Sequence, residues 1–272
     1  MLRTLRRRLR YIATTGLRRR ARDLALGEVT VGRRADRGRL AMFVAREDLA
    51  RRYLRGSGIE IGALAFPLRV PPGVRVRRVD RLDRAGLIAA NRRTFEFADV
   101  DPGGVPEVDV IDDGAVLSRF ADGSLDFVIA NHVLEHIEDP LAALGHWLRV
   151  IREDGVLFIS LPDAARSYDA PRPRTSVEHV LRDHRDGPEC SRREHYEEWA
   201  RILDAIPPER VGERVEEFAR EDARHHFHVW ELEGFLELLA ALALPCELEL
   251  AQRSGQEFTV ILRKRSPDRA AA

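Results

Sequence analysis

Between residues 57 and 161, five short apolar segments alternate with stretches of helical character, and no other feature limits the fold as much. Ile59–Ile61 lies between Gly58 and Gly62, and Val74, Val76 and Val79 lead into Asp80. Val108, Val110 and Ile111 lead into Asp112 and Asp113, Leu125–Ala130 is an almost unbroken apolar run, and Val156–Leu161 follows. A strand buried on both faces has no polar side to show, so it reads as a run rather than an alternation. Ahead of the fifth segment a helix is predicted from Asp139 as N-cap and Pro140 in the first turn, with Leu141, Leu144, Leu148 and Ile151 as its apolar stripe and Gly155 after its end. Short strands joined by helical crossovers predict an α/β fold built on a parallel, doubly wound sheet.

The pattern breaks over residues 163–222, where charge is dense and strand character is low. Thr175 with Glu178, and Ser191 with Glu194, have the spacing of capping boxes and predict two helix starts. Pro207–Pro208 divide the segment. Leu232, Phe235, Leu236 and Leu239 predict a further helix ended by Pro245, followed by strands at Glu247–Leu250 and Phe258–Leu262. The expected organisation is a basic N-terminal segment over 1–40 and a main domain over 41–272, with 163–222 as a helical insertion. Long connections inside compact domains are commonly functional. This one leaves the fifth strand at Pro162–Asp163, so it is expected to act as a lid over an acceptor pocket, with Tyr168, Tyr196 and Trp199 as candidate lining.

The charge balance, 45 basic against 45 acidic residues, hides an asymmetry: residues 1–55 hold 17 arginines against 5 acids, a net of +12. Leu2, Leu5, Leu9 and Ile12 recur there at helical spacing among the arginines. Two readings stand, a solvated tail or a basic amphipathic segment touching an anionic membrane surface. Nucleic acid is disfavoured, because no aromatics interleave with the arginines to stack on bases. No run approaches the roughly 18 apolar residues of a membrane span, and no secretory apolar core is present. Two cysteines, Cys190 and Cys246, make neither a disulfide framework nor a Cys-rich zinc site. A cytoplasmic location is expected, with peripheral membrane contact left open through the N-terminus.

In a doubly wound sheet, ligands bind where the strands end. Glu60-Ile61-Gly62-Ala63 stands at the first such end, and Gly62 there lets backbone approach a ligand. Asp80 closes the second strand 20 residues after Glu60, the spacing at which an acid commonly accepts from both ribose hydroxyls of a nucleotide. Asp112 and Asp113 close the third and could accept from an adenine amino group.

The stretch Ala121-Asp122-Gly123-Ser124-Leu125-Asp126-Phe127-Val128-Ile129-Ala130-Asn131-His132-Val133-Leu134-Glu135-His136-Ile137-Glu138-Asp139-Pro140 resembles the segment that follows the third strand end in class I S-adenosylmethionine-dependent methyltransferases of the type 11 kind. Gly155-Val156-Leu157-Phe158-Ile159-Ser160-Leu161-Pro162 resembles the next strand of that family, so the likeness runs from about Ser57 to Pro162. The resemblance implies a Rossmann-like seven-stranded sheet with its last strand antiparallel. It implies that Glu60, Gly62 and Ala63 border the methionine part of the cofactor, that Asp80 holds the ribose, that Asp112 or Asp113 meets adenine, and that Asn131 and His132 face cofactor and acceptor. One departure stands out: the family's glycine-rich loop keeps a single glycine here, Gly62, followed by Ala63-Leu64-Ala65-Phe66-Pro67.

Methyl transfer is an in-line attack on a sulfonium carbon, so the protein's tasks are orientation and removal of water. A hydroxyl acceptor must also lose a proton, and histidine is the natural base near neutral pH. The candidates are His132 and His136, with His226 and His228 of the run His225-His226-Phe227-His228. His132-Val133-Leu134-Glu135-His136 also has the His-x-x-Glu-His spacing of an inverted zinc-protease motif, which on a helix would put both histidines on one face. A divalent metal is therefore the lesser alternative, with no ligand set assigned. The expected function is transfer of a methyl group to a small-molecule or glycan-precursor acceptor at oxygen. The alternatives are a cofactor-binding scaffold without turnover and, more distantly, a nicotinamide oxidoreductase, which lacks the glycines its pyrophosphate would need.

Overall fold

The computed structural model describes residues 34–92, 95–96 and 100–266. The basic amphipathic segment predicted over 1–22 lies outside them. The elements in chain order are α1 (Arg34–Tyr53), β1 (Ser57–Ile61), β2 (Arg75–Asp80), α2 (Arg84–Ala90), β3 (Val110–Ile111), β4 (Leu125–Asn131), α3 (Pro140–Val150), β5 (Ile151–Pro162), α4 (Val177–Asp186), α5 (Glu189–Ile202), α6 (Val211–Glu221), α7 (Leu232–Ala241), β6 (Cys246–Ser254) and β7 (Glu257–Lys264). The strands form one seven-stranded sheet in the order β3-β2-β1-β4-β5-β7-β6. β1 to β5 pair in parallel, while β7 lies antiparallel between β5 and β6. This is the expected architecture, last strand included. The boundary expected at residue 40 falls inside α1.

The continuous apolar runs are explained by burial on both faces. Along β4, Phe127 and Ile129 pack with Leu49 and Ala50 of α1 and with Leu54 just after it on one side. Val128 and Ala130 pack with Leu144 and Trp147 of α3 on the other. Trp147, absent from the predicted stripe, is fully buried, and its Nε1–H donates to Gly114 O at 2.7 Å. Burying an indole contributes on the order of 5 kcal/mol, so it outweighs Leu141, which is only half-buried. Ile151 is not helical; it begins β5.

Three local expectations differ from the structure. Asp139 caps α3 as predicted, accepting from Ala142 N–H at 2.9 Å. Gly155 does not end that helix, however; it sits inside β5 beside the register shift between Leu125 and Phe127. A Cβ there would stand 2.4 Å from Ile151 Cγ2 and 2.8 Å from Asp126 O, so only glycine lets the two strands close. The cap of α4 is Ser176, accepting from His179 N–H, whereas Thr175 Oγ1 accepts from Val229 N–H. Ser191 lies within α5 and donates from Oγ to buried Asp183 at 2.8 Å. Each hydroxyl was captured by a partner outside its own predicted helix start, 54 residues away for Thr175 and 8 for Ser191, which the capping-box spacing could not register.

Helices α4, α5 and α6 form the insertion. Tyr196, Val211, Val215, Phe218 and Phe227 give it a small core of its own. The return segment 225–230 stitches it to the sheet end: Phe227 N–H and His228 N–H donate to Glu135 O, Ala164 N–H donates to Trp230 O, and Thr175 N–H donates to Val229 O. Among the described residues, no helix is long and apolar enough to cross a membrane.

Candidate active site

Strand register lines up the strand-end residues. Ile61 pairs with both Val79 and Ala130, and Asp80 pairs with Ile111. Asp112, Asp80, Gly62 and Asn131 therefore follow one another along a single rim of the sheet. Gly62 has φ +61°, and a Cβ on it would meet Val133 Cγ2 at 3.1 Å, so its missing side chain keeps the rim open.

Glu60 is 1% exposed and turned beneath the loop that follows, where its Oε1 accepts from Leu68 N–H at 2.8 Å. Together with the turn from Phe66 N–H to Ala63 O, this contact shapes the loop that lacks the family's later glycines; Leu64 takes φ +41° in it. Glu60 thus holds the loop from below, and Gly62 and Ala63 form the surface above. Burial pushes the Glu60 carboxyl up to about 7, against the opposing Leu68 N–H and the charge of Arg78. A raised carboxyl contributes stability that is full below its unfolded value, 4.5, and is lost as pH rises through about 7. Glu60→Gln is therefore expected to gain about 3 kcal/mol relative to the parent between pH 5 and 9. Urea denaturation at the two pH values measures this, and parallel pH curves for the two proteins would refute it.

Asp80 accepts one hydrogen bond, from Arg81 N–H at 2.8 Å, and partial burial raises its pKa. A half-desolvated carboxylate with lone pairs to spare suits a diol. Asp112 is engaged within the chain: Asp113 N–H and Ser118 Oγ–H donate to Oδ1 and Arg119 N–H donates to Oδ2. It builds the 112–119 loop, while Asp113 is exposed and caps Ala115 N–H. Ile111, 49% exposed, offers an apolar surface next to this pair. Both amide atoms of Asn131 are buried at the same rim without a close hydrogen-bond partner, though Asn131 lies near enough to the Glu60 carboxyl to oppose its raised pKa.

His132 follows with φ +54°, a left-handed conformation that costs a β-carbon-bearing residue about 1 kcal/mol or more. Its Nε2–H donates to Glu257 Oε2 at 2.8 Å, and Glu257 is fully buried at the start of β7. Arg46 of α1, also buried, binds the same carboxylate through Nε at 2.8 Å and through Nη2. The dyad leaves His132 Nδ1 as the lone-pair nitrogen, on a side chain 37% exposed. Loss of hydration against the surrounding protein lowers the His132 pKa, with Glu257 opposing and Arg46 acting in the same direction. Sequence reading missed Glu257 and Arg46. Their separations, 125 residues from His132 to Glu257 and 211 from Arg46 to Glu257, leave no local signal.

The His-x-x-Glu-His spacing does not make a shared helical face, because residues Leu134–His136 form a single 3-10 turn. His132 turns to Glu257, while His136 Nδ1–H donates to the carbonyls of Arg224 and His225 at 3.0 Å. Burial drives His136 down to about 3, so it stays neutral. His226 lies edge-on to it at 4.6 Å, with its Nδ1–H donating to Asp169 at 2.8 Å and its Nε2 accepting from Tyr168 O–H at 2.7 Å. Glu135 is buried with both oxygens unpartnered, and burial pushes its carboxyl up to about 8. Glu135, Asp169 and His226 line one narrow cavity beneath the insertion, too tight to admit a water molecule. His228 also touches that cavity but packs on its other side against Trp230, His179 and His195. Of the expected pocket aromatics only Tyr168 is exposed; Tyr196 is core, and Trp199 stacks on His225 at 4.3 Å. A larger open hollow of about 570 Å3, lined by Asp122, Arg149, Arg152 and Lys264, lies by the start of β4, at the opposite edge of the sheet from these groups.

The rim fits an adenosyl sulfonium cofactor: an underemployed carboxylate for a diol, an exposed apolar residue beside it, a glycine cradle, and an unpartnered amide. It offers no succession of glycine N–H groups for a pyrophosphate. Comparison with solved structures finds an S-adenosylmethionine-dependent methyltransferase from Aquifex aeolicus, at 12% identity and TM-score 0.42, aligned over 79% of this chain and 86% of that one. A protein from Pyrococcus horikoshii aligns at 18% identity and TM-score 0.42 over 78% and 82% of the two chains. No curated protein sequence matches. A methyltransferase-domain family model covers residues 56–234, from the start of β1 through the insertion into α7, and by that match the chain belongs to the S-adenosylmethionine-dependent methyltransferases.

Proposed function

We propose that this methyltransferase acts on a hydroxyl of a small molecule or glycan precursor, with His132 as the base that takes the hydroxyl proton. The observation that carries this reading is the His132–Glu257–Arg46 relay at the rim. A carboxylate on one ring nitrogen fixes the tautomer and favours the imidazolium that forms when the other nitrogen accepts a proton. Amine and thiol acceptors have less need of such a device at neutral pH, the first when already unprotonated and the second because the thiol ionises readily. Bound S-adenosylmethionine supplies an activated methyl group, which makes the remaining work positional.

In this reading Asp80 holds the ribose, Gly62 and Ala63 pass the methionine portion, Asn131 receives polar atoms of the cofactor, and Asp113 with Ile111 meets adenine. Glu60 and Asp112 position the loops that carry these contacts. His136 and His226 shape the wall between rim and insertion, and Tyr168 borders the acceptor. The insertion acts as the lid, since segment 225–230 fastens it directly to the turn after β4. Contact of the basic N-terminal segment with an anionic membrane, which would bring a lipid-linked acceptor within reach, belongs to the same proposal.

The test offers the enzyme matched panels of sugar, nucleotide-sugar and phenolic hydroxyls beside amine and thiol analogues. S-adenosylhomocysteine release is followed, and the methylated atom is located by mass spectrometry. Methylation confined to oxygen supports the reading; methylation at nitrogen or sulfur with the hydroxyl panel untouched would overturn it.

A further inference from the structure

Nine histidines are present in the chain, and three that come from distant segments converge away from the rim. His179 lies on α4, His195 on α5 and His228 on the return segment, and one ring nitrogen of each lies within 4.8 Å of the other two. His179 Nε2 and His195 Nε2 are 3.1 Å apart. Two ring nitrogens on a tetrahedral zinc, each at about 2.0–2.1 Å, stand about 3.3 Å from one another. The pair is therefore already near its metal-bound separation.

His228 is the telling member. It is 1% exposed; its Nε2–H donates to Glu138 O at 3.1 Å, and its Nδ1 is buried without a partner. A ring nitrogen donating to a backbone carbonyl while the other keeps its lone pair is the usual outer contact of a metal-bound histidine. The cluster also has its anion. Asp183, four residues after His179 and fully buried, places Oδ2 3.0 Å from His179 Nε2 and 3.9 Å from His195 Nε2. Ser191 Oγ–H orients that carboxylate at 2.8 Å. Arg182, which donates to His179 Nδ1 at 3.3 Å, is 39% exposed and can swing into solvent.

The second group able to hold a cation, Glu135 with His136 and His226, is less suited, because both ring nitrogens of His226 are already engaged by Asp169 and Tyr168.

We propose that His179, His195 and His228, with Asp183 as the accompanying carboxylate, bind one Zn2+ ion that staples the helical insertion to the segment covering the sheet end. Imidazoles with one carboxylate suit zinc better than calcium or magnesium, which take oxygen ligands. Ligands drawn from α4, α5 and segment 225–230 make the ion a cross-link between three pieces of chain that otherwise meet through packing and a few hydrogen bonds such as Ser191 to Asp183. It would hold the insertion in place rather than take part in methyl transfer.

The experiment uses the tag-free full chain, stripped with chelator, dialysed against Zn2+ alone and analysed by mass spectrometry of the metal. About one zinc per chain is expected, with a rise of several degrees in Tm on loading. His179→Ala and His195→Ala are expected to retain less than about a tenth of that zinc, and Asp183→Asn to bind it roughly 10- to 100-fold more weakly. His146→Ala, on α3, should load as the parent does. Because His228→Ala empties a buried position and can fail to fold, the Co2+-loaded parent is measured as well; tetrahedral coordination gives strong visible bands, which His179→Ala should abolish. Loss of the parent's zinc on dialysis, or equal zinc in parent, His179→Ala and His195→Ala, would overturn the proposal. None of these readouts depends on turnover, so they stand apart from the assignment of His132.

Discussion

His132→Ala is expected to lower kcat by about 10^2- to 10^4-fold, the range a positioned general base contributes. S-adenosylmethionine affinity should change little, since in the proposed arrangement Asp80, Gly62 and Ala63 supply the main contacts to the cofactor. The pH profile carries the sharper content. A protonated imidazole cannot take a proton, so activity must fall as pH drops through the His132 pKa. That pKa is held below the ordinary value of 6.5, which places the acid limb of kcat/KM below the usual histidine range. In His132→Ala the limb should vanish, and added imidazole should restore part of the rate. Glu257→Gln keeps the shape and an acceptor for Nε2–H but removes the charge that raises the His132 pKa, so the limb should move to still lower pH while kcat falls less than in His132→Ala. The same change leaves buried Arg46 without its anion, so its stability has to be followed alongside. Full activity and an unaltered acid limb in His132→Ala would end the assignment of the base.

Asp80→Ala is expected to weaken S-adenosylmethionine binding about 100-fold, by calorimetry or by loss of the cofactor-induced rise in Tm. The reasoning is that a charged acceptor loses two hydroxyl donors, each worth about 1.5–3 kcal/mol at most, with part of the loss recovered by water. At saturating cofactor kcat should recover most of the parent value, because the ribose contact is the same in ground and transition states and so acts on affinity. An affinity within about threefold of the parent would show that the diol lies elsewhere. Asp80 and His132 sit on opposite sides of β1 and share no partner, so their effects should be close to independent.

The site was unevenly legible. Gly62, Asp80 and Asn131 were readable because strand ends in a doubly wound sheet share one rim, and strand ends can be recognised from local apolar runs. Glu60 stands at the strand end as expected but is turned beneath the following loop, since nothing local says whether a strand-end acid faces solvent or the loop above it. Asp112 and Asp113 were indistinguishable in sequence; the 112–119 loop separated them by engaging the first and exposing the second. Four histidines were offered as bases on the same grounds, and their burial and partners differ. His136 is held neutral inside the wall, His226 is committed at both nitrogens, His228 turns towards His179 and His195, and His132 keeps a nitrogen exposed next to a buried carboxylate.

The amino-acid sequence by itself determined the alternating α/β plan, the antiparallel final strand through its family resemblance, the position of the rim and the existence of a helical insertion. Apart from the final strand, these follow from apolar periodicity and turn residues, which act over a few residues. Only the tertiary structure decided that Arg46 and Glu257 stand behind His132, and that α4, α5 and segment 225–230 bring three histidines together. Those pairings join residues far apart along the chain. What selects them is the demand that buried charges and ring nitrogens find partners, and that demand is settled only when the sheet and its helices close around them.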